Sequence, residues 1–427
     1  NTRMKPQLHT LSNGLRVVLI DTKSFPTLTT ILLVGAGSRY ENEKNNGIAH
    51  FFEHMAFKGS KKYPTSFLIS SMIDSLGGYF NAFTSKDHTG YWIKATNNHF
   101  EKVVDVIGDM IQHPLLLDEE IEREKGVIVE EINMYEDTPM NKVGDIFEEL
   151  MYKGNPLGMD IAGTKKTVRS FNRQTFTDYM DQLYHPSNAA LIVAGGLNGK
   201  DYLKVIEEKF KGWKNGHKDL FIPMKEEQTK PQIRTQFKKT EQSHFCLGFR
   251  AYNLSDKRRY ILAVLSAILG GGMSSRLFTQ VRERRGLCYY IRTGRQAYTD
   301  VGNFVTSAGV TNDIEKTKEA IKVTLAEHRK IANGDVKNEE LTKAKELIKG
   351  RTLLSLEDSQ NVATFYGYRL ILENKMSSPE EMIKGIDAVT KEDIVAVAKD
   401  IFKPENLNFA MIGPVNPGDI TEADLSF

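Results

Sequence analysis

Two histidines and a glutamate stand at a spacing that suits metal chemistry, in the pattern H-x-x-E-H of His50, Glu53 and His54. At about 100° per residue these three side chains share one helix face. The opposite face is apolar and contains Ile48, Phe51, Phe52, Met55 and Ala56. Imidazoles at positions i and i+4 suit one Zn²⁺ ion, and catalytic zinc sites keep an open position beside three protein ligands. Chance gives roughly 0.03 such patterns at this composition, so a metal site is favoured over an incidental polar face.

The charged segment from Glu119 to Tyr135 supplies a third ligand. Its 3-4-3-4 spacing places five residues within about 80° of one another on a helix, namely Ile121, Glu124, Ile128, Glu131 and Tyr135. Carboxylates in a buried stripe need a cation or strong donors, because burying them unpaired costs several kcal/mol. The alternative is a pair of salt-bridged core acids. Combined with the histidine pattern, we predict Glu131 as a zinc ligand and Glu124 as the carboxylate that orients a zinc-binding imidazole.

These residues resemble the pitrilysin family of zinc peptidases with an inverted motif, which includes insulin-degrading enzyme and the mitochondrial processing peptidase β subunit. The resemblance rests on H-x-x-E-H, on the 77 residues from His54 to Glu131 and on a glutamate seven residues earlier. It extends through Gly77–Thr84, Tyr184-His185-Pro186 and Gly270–Phe278, and so covers essentially the whole chain. It implies a zinc endopeptidase that cleaves oligopeptides or unfolded segments. Glu53 would take a proton from the attacking water and pass it to the leaving amine.

The same resemblance assigns two further groups of residues. Asn81, Ala82, Phe83 and Thr84 would form an edge strand that pairs with an extended peptide. Arg282 and Tyr289, seven residues apart, would hold the substrate backbone and the developing oxyanion. Without the resemblance, Arg282 is equally well explained as one charge on a solvated helix end.

The chain has the length of the half-size members of this family. In the doubled members, the zinc half and the Arg/Tyr half lie in different halves of the chain and face each other. This chain carries one zinc set and one Arg/Tyr set. The resemblance therefore implies a homodimer with two active sites, each completed by the partner chain.

Three pairs of segments repeat in the same order along the chain. Tyr184–Asn188 and Phe402–Asn406 both read aromatic-x-Pro-x-Asn before an apolar strand, and their prolines are 218 residues apart. Glu136-Asp137 and Glu357-Asp358 repeat at an offset of 221, and the strand Thr30–Val34 matches Ser243–Gly248. Three repeats at nearly constant offset indicate a duplication.

We therefore predict an α+β fold of two homologous domains, each a mixed or antiparallel sheet packed with helices. The zinc domain is residues 1–212, a linker follows at 213–233, and the second domain, 234–427, carries the Arg/Tyr half-site. A hairpin is predicted from Gln7 to Ile20, with its turn at Asn13-Gly14.

The second copy lacks the metal-binding residues. At an offset near 213, the positions of His50, Glu53 and His54 are taken by Ala263, Ser266 and Ala267, so we predict one zinc ion per chain. The glycines at 270–272 lack the Gly-Lys-Ser/Thr of a phosphate-binding loop. They are interpreted as a turn or a substrate-facing loop.

The composition of the chain limits which binding partners and cellular compartments are expected. The 427 residues are 40% hydrophobic and 26% charged, with a net charge of +2, which gives no electrostatic argument for nucleic acid or an anionic membrane. No apolar run approaches the roughly 18 residues of a membrane span. Cys246 and Cys288 are predicted to be small core residues in a reducing compartment. Since Asn-Thr-Arg opens the chain without Met or an apolar signal region, a targeting peptide is expected to be absent or removed. We expect a soluble protein of the bacterial cytoplasm, with the mitochondrial matrix as the alternative.

Two other functions compete with the peptidase. One is a non-catalytic scaffold or regulatory subunit of a processing-peptidase-type complex, in which the zinc motif would be degraded. Here all four residues of that motif are present, His50, Glu53, His54 and Glu131. The other is a small-molecule metallo-lyase, which the duplicated size and the candidate edge strand disfavour.

Overall fold

The first half of the chain forms a six-stranded sheet in the computed structural model, which describes residues 4–426. Its strands are β1 (Gln7–Thr10), β2 (Arg16–Asp21), β3 (Thr27–Val34), β4 (Tyr79–Thr84), β5 (Thr89–Thr96) and β6 (Ala189–Gly195). Their order is β1-β2-β6-β3-β5-β4, and only β2 and β6 run parallel. The predicted hairpin is β1–β2, and Gly14 adopts a φ of +93° in its turn.

Eight helices belong to this half of the sequence as the structure describes it. They are α1 (Ile48–Ala56), α2 (Ser66–Ser75), α3 (Phe100–Gln112), α4 (Asp118–Glu136), α5 (Pro139–Met151), α6 (Lys165–Ser170), α7 (Arg173–Leu183) and α8 (Tyr202–Phe210). Helix α1 packs its apolar face into the core, where Ile48, Phe51 and Phe52 are fully buried. Residues 213–231 contain neither helix nor strand.

The second half forms a five-stranded sheet with a matching topology. Its strands are β7 (Gln232–Phe237), β8 (Gln242–Ala251), β9 (Tyr290–Ala297), β10 (Gly302–Thr311) and β11 (Leu407–Gly413). Their order, β7-β11-β8-β10-β9, has one parallel pair, β7 with β11, at the position of β2 with β6. Since β3 corresponds to β8 and β6 to β11, the predicted duplication and the α+β fold are confirmed.

The helices of this half are α9 (Arg259–Gly270), α10 (Ile314–Ala332), α11 (Asn338–Ser355), α12 (Ser359–Glu373), α13 (Pro379–Asp387) and α14 (Lys391–Ile401), with a π-helix at Phe278–Glu283. Both cysteines are buried and free, as predicted. Among the described residues no helix combines the length and the apolar composition that crossing a bilayer requires.

The chain divides into two compact units, and each unit contains one helix from the other half of the sequence. The limits of the units therefore differ from a single boundary at the linker. Unit 1 consists of the chain up to Ile132, Met159–Ile222 and Ser355–Ser377, and unit 2 contains Asn133–Gly158, Pro223–Leu354 and the chain from Ser378. Helix α12 therefore belongs to unit 1, where Val362, Ala363 and Tyr366 are buried with residues of β3 and β6. Helix α5 belongs to unit 2, where Ile146 and Phe147 are buried with residues of β8 and β11.

Gly367 permits the close packing of α12, and this gives a test of its placement in unit 1. A Cβ at this position would lie 2.5 Å from Leu33 Cδ1 and 3.0 Å from Ile192 Cδ1. We expect Gly367→Leu to lower the free energy of unfolding by about 1–3 kcal/mol, the usual range for overpacking a core. Gly350→Leu in α11 is the control, because a Cβ there meets nothing within 4 Å. Urea unfolding measures the free energy of unfolding of both variants. Equal values for the two would contradict the close packing of α12.

Candidate active site

The loop before α1 fixes the start of the helix that carries both histidines. The carboxylate of Glu41 accepts hydrogen bonds from the N–H groups of Gly47 (2.9 Å) and Ala49 (2.8 Å) at the helix N-terminus. Burial raises the pKa of Glu41 to about 8, although these donors favour its ionised form. Gly47 has a φ of +100°, and a Cβ there would lie 2.7 Å from the Ala162 carbonyl oxygen. Helix α1 is thus capped and held closely against the chain near Gly163.

Three side-chain atoms from α1 and α4 converge on one point. His50 Nε2 lies 3.2 Å from His54 Nε2, and the Glu131 carboxylate oxygens lie 3.5 Å from the first and 3.4 Å from the second. With zinc–ligand bonds of about 2.0–2.1 Å, atoms of a tetrahedral site lie about 3.3 Å apart. These three residues therefore fit a zinc ion, with two imidazole nitrogens and one carboxylate oxygen. Within residues 4–426 they form the one group of His, Cys, Asp or Glu donors of this kind.

Glu124 lies one heptad before Glu131 and contacts the far side of the same imidazole. His54 Nδ1 donates to Glu124 Oε1 at 2.8 Å, and Lys58 Nζ donates to Oε2 at 2.9 Å. Glu124 is only 3% exposed. Burial raises the pKa of this carboxyl, but the two donors outweigh burial and hold the pKa below its usual value. With Nδ1 of His54 committed as a donor, its Nε2 lone pair is directed at the metal position.

The protonation of His54 opposes metal binding. Burial lowers the pKa of His54, but hydrogen bonds with Glu124 and Glu131 raise it to about 9 in the metal-free chain. The proton must leave before Nε2 can bind a metal, so protons and zinc compete for this nitrogen. His50 differs, because its Nδ1 is buried without a hydrogen-bond partner among the described residues.

Glu53 lies on the same face of α1 and contacts the edge strand of the first sheet. The Thr84 hydroxyl at the end of β4 donates to Glu53 Oε2. Among the strands of residues 4–426, β4 pairs with β5 alone, so its other edge has no strand partner there. Thr84 therefore joins the candidate base directly to the predicted substrate strand.

The open edge of β4 presents a defined set of backbone groups. Ser85 N–H donates to the His88 carbonyl across the turn at 2.9 Å. Because antiparallel pairs alternate, the N–H and C=O groups of Phe80, Ala82 and Thr84 point away from β5. The Asn81 side chain occupies part of this edge, since its Oδ1 accepts from Ala82 N–H at 2.8 Å.

Arg282 and Tyr289 lie in unit 2, at the two ends of a short loop. Arg282 is in the last turn of the π-helix Phe278–Glu283, with its guanidinium 4.7 Å from the centre of the Phe278 ring. The loop returns through a hydrogen bond of 2.8 Å from Gly286 N–H to the Arg282 carbonyl. The Tyr289 side chain is 47% exposed. The structure thus gives both side chains as exposed groups of one loop.

Comparison with known proteins agrees with this geometry. Residues 16–165 match the family model described as insulinase, peptidase family M16, and residues 170–348 match the M16 inactive domain. The chain is 35% identical over 407 residues to the uncharacterized zinc protease YmxG of Bacillus subtilis, covering 95% of this chain and 98% of that protein. The chain belongs to peptidase family M16.

Further relatives support the same assignment. The mitochondrial-processing peptidase subunit beta of Mus musculus is 30% identical over 418 residues, covering 96% of this chain and 84% of that subunit. A solved protease from Helicobacter pylori superposes with a TM-score of 0.90 at 23% identity, covering 96% of this chain and all of that one, and so shares the fold. This M16 protein is a zinc metalloendopeptidase, and the zinc predicted from H-x-x-E-H is confirmed as its metal.

Sequence reasoning about this M16 site missed three contacts. The cap from Glu41, the ion pair of Lys58 with Glu124 and the bond from Thr84 to Glu53 all join residues whose spacing follows no helix or strand period. Only the proximity of Lys58 to His54, four residues along, was a local signal. That spacing gives no carboxylate partner on α4, and Lys58 itself lies beyond the end of α1 at Ala56.

Exchange of two neighbouring glutamates tests the metal ligand. Glu131→Gln should release zinc under mild chelation, because the amide replaces the anionic ligand. Glu130→Gln should retain zinc, since Glu130 is exposed on another face of α4. Glu124→Gln should weaken zinc affinity by about 10–100-fold, as is typical when the group behind a ligating imidazole is lost. Zinc content after dialysis against a chelator measures all three, and loss of zinc from the Glu130 variant alone would overturn the assignment.

Proposed function

We propose that this M16 protein binds oligopeptides or unfolded, presequence-like segments along β4 and cleaves them at the His50–His54–Glu131 centre. The observation that carries the proposal is the hydrogen bond from Thr84 to Glu53, which joins the end of an open strand edge to the carboxylate beside the metal donors. A peptide paired with β4 would pass this carboxylate.

The substrate class follows from the edge that is available. The outward N–H and C=O groups of Phe80, Ala82 and Thr84 would pair with the backbone of an extended peptide. Such pairing binds the main chain of the substrate through hydrogen bonds. Peptides with little secondary structure of their own would therefore be preferred. The side chain of Asn81 would turn from the Ala82 N–H to the substrate.

The residues of the chain divide the chemistry among them. Bound zinc supplies a Lewis acid that makes water nucleophilic near neutral pH and polarises a carbonyl. Glu53 takes the proton of the attacking water and delivers it to the leaving amine. Thr84 holds one oxygen of that carboxylate in place, and Glu124 fixes the orientation of His54.

The sequence left open one alternative, a non-catalytic scaffold or regulatory subunit of a processing-peptidase-type complex. A scaffold has no use for three converging metal donors or for Glu53, and the chain has all four. Hydrolysis of a quenched fluorescent peptide, with and without chelator, separates the two functions.

Substitution of the base provides the sharper test. We expect Glu53→Gln to keep its zinc and to lower kcat by about 10²–10⁴-fold, because the amide cannot accept the proton. Glu119→Gln, on the exposed side of α4, is the matched control and should leave kcat unchanged. Turnover of the Glu53 variant near the wild-type rate would remove Glu53 from the mechanism.

We further propose a homodimer in which Arg282 and Tyr289 of one chain complete the zinc site of the other, within a chamber that closes around the substrate. The support is the exposure of both side chains and the lack of a carboxylate partner for Arg282 within residues 4–426. Brought to a peptide held at the partner's zinc, a guanidinium and a phenol would stabilise the charge that develops on the scissile carbonyl.

Complementation between inactive chains tests this arrangement. A Glu53→Gln chain mixed with an Arg282→Ala/Tyr289→Ala chain should regain about half the activity per mixed dimer if the two sites are independent. A chain with all three substitutions, mixed with either, should regain nothing. Subunit exchange without returning activity, or a fully active monomer at high dilution, would contradict completion by the partner.

A further inference from the structure

Unit 2 contains a cavity of about 350 Å³ between the end of α9, the loop after it and α11. Its lining includes Ala267, Met273, Ser275, Lys343, Leu347 and Arg351. By chain order and topology, α9 corresponds to α1, and α11 corresponds to α4. The cavity thus lies between the two helices that, in unit 1, carry the metal donors.

Two exposed cations, Lys343 and Arg351, line this cavity without a carboxylate partner of their own within residues 4–426. Lys343 Nζ donates to the Ser274 carbonyl at 3.0 Å, and Arg351 Nη1 donates to the Gly271 carbonyl at 2.7 Å. Among the residues that the structure describes, neither has a carboxylate partner. The acid in the lining, Glu340, is held by Arg276 through hydrogen bonds of 2.6 and 2.7 Å. The cavity is therefore positively charged.

Ser275 adds an unused hydrogen-bonding group. It lines the cavity and is 6% exposed, and its hydroxyl has no hydrogen-bond partner in the described part of the chain. Buried polar side chains nearly always have a partner. The Ser275 Oγ atom exposes almost no surface, so the hydroxyl would reach a ligand in the cavity by rotation about its Cα–Cβ bond. A hydroxyl beside two uncompensated cations suits an anion with several acceptor oxygens.

Gly272, the third of the three consecutive glycines at 270–272, keeps the cavity open. A Cβ at Gly270 would lie 2.4 Å from the Thr293 nitrogen, and a Cβ at Gly271 would lie 2.6 Å from Ala267 Cα, so both are required by packing. At Gly272 the nearest atoms are Leu347 Cδ2 at 3.7 Å and Arg351 Nη2 at 3.8 Å. A side chain would fit there, but it would project towards Arg351.

We propose that this cavity binds the C-terminal carboxylate of a peptide, held by Lys343, Arg351 and Ser275. The last side chain of the peptide would be apolar and would pack against Ala267, Ile268, Ala344 and Leu347 of the wall. The choice of a peptide rests on the proposed function, since the substrates and products of a peptidase carry this carboxylate.

Binding of one peptide in two forms tests the assignment without any cleavage. The probe is an N-terminally fluorescein-labelled hexapeptide that ends in Leu, prepared as the free acid and as the amide. Fluorescence anisotropy with the zinc-loaded Glu53→Gln chain should give about tenfold tighter binding of the acid, the worth of one charge-assisted hydrogen bond. Lys343→Gln or Arg351→Gln should remove most of this preference.

Lys345→Gln is the matched control, because Lys345 lies on the same helix and donates to the Asp387 carbonyl at 2.9 Å, outside the cavity lining. It should retain the preference for the acid. A preference for the acid that arose at the zinc would survive in the Lys343 and Arg351 variants as well as in the control. Its persistence in the Lys343 and Arg351 variants therefore overturns the proposal. Gly272→Leu should weaken binding of the acid about tenfold by filling the space, with every charge unchanged.

Other outcomes are equally decisive. Equal affinities for acid and amide refute the carboxylate site. If isothermal titration shows that inorganic phosphate binds the Glu53→Gln chain but not its Arg351→Gln derivative, and the peptide shows no acid preference, the cavity is a phosphate site. Failure of peptide cleavage leaves the anisotropy result intact, and cleavage without an acid preference refutes the cavity alone.

Discussion

The metal centre depends on two carboxylates that share one face of α4 and point into the protein. Glu124 and Glu131 lose hydration there, and each must regain it from a cation or from donors. His54 meets both carboxylates, one at each nitrogen of its ring. The imidazole is therefore fixed between an oxygen that holds its proton and the position of the metal. Lys58 supplies the remaining charge to Glu124.

This constraint requires α1 and α4 to be held in one register, and the rest of unit 1 serves that purpose. Glu41 caps α1, and Gly47 allows the chain near Gly163 to approach its first turn. Burial of the apolar face of α1 directs its histidines and Glu53 to the opposite side. There Glu53 reaches Thr84 at the end of β4. The base, the metal donors and the open strand edge are therefore properties of one packed unit.

The duplication gave the second unit the same pair of helices with different side chains. Where unit 1 has imidazoles and carboxylates, the counterpart in unit 2 has alanines on α9 and cations on α11. Without metal ligands the space between the helices remains, as a cavity with positive charge. Helices α5 and α12 also cross between the copies. Helix α5 follows α4 in the sequence but is buried in unit 2, and α12 follows α11 but is buried in unit 1.

The sequence by itself determined the features that follow a local period. The helical period placed His50, Glu53 and His54 on one face of α1, and Glu124 with Glu131 on one face of α4. The repeated segments predicted two homologous domains, each with a mixed or antiparallel sheet. The turn at Asn13-Gly14 followed from the conformations glycine tolerates. Tertiary structure alone decided which of these faces meet. The contacts of Glu41 with α1, of Lys58 with Glu124 and of Thr84 with Glu53, the placement of α5 and α12 and the cavity beside Arg351 all join segments brought together by packing. Such contacts depend on loop paths and on the fit of whole surfaces, and no spacing along the chain records them.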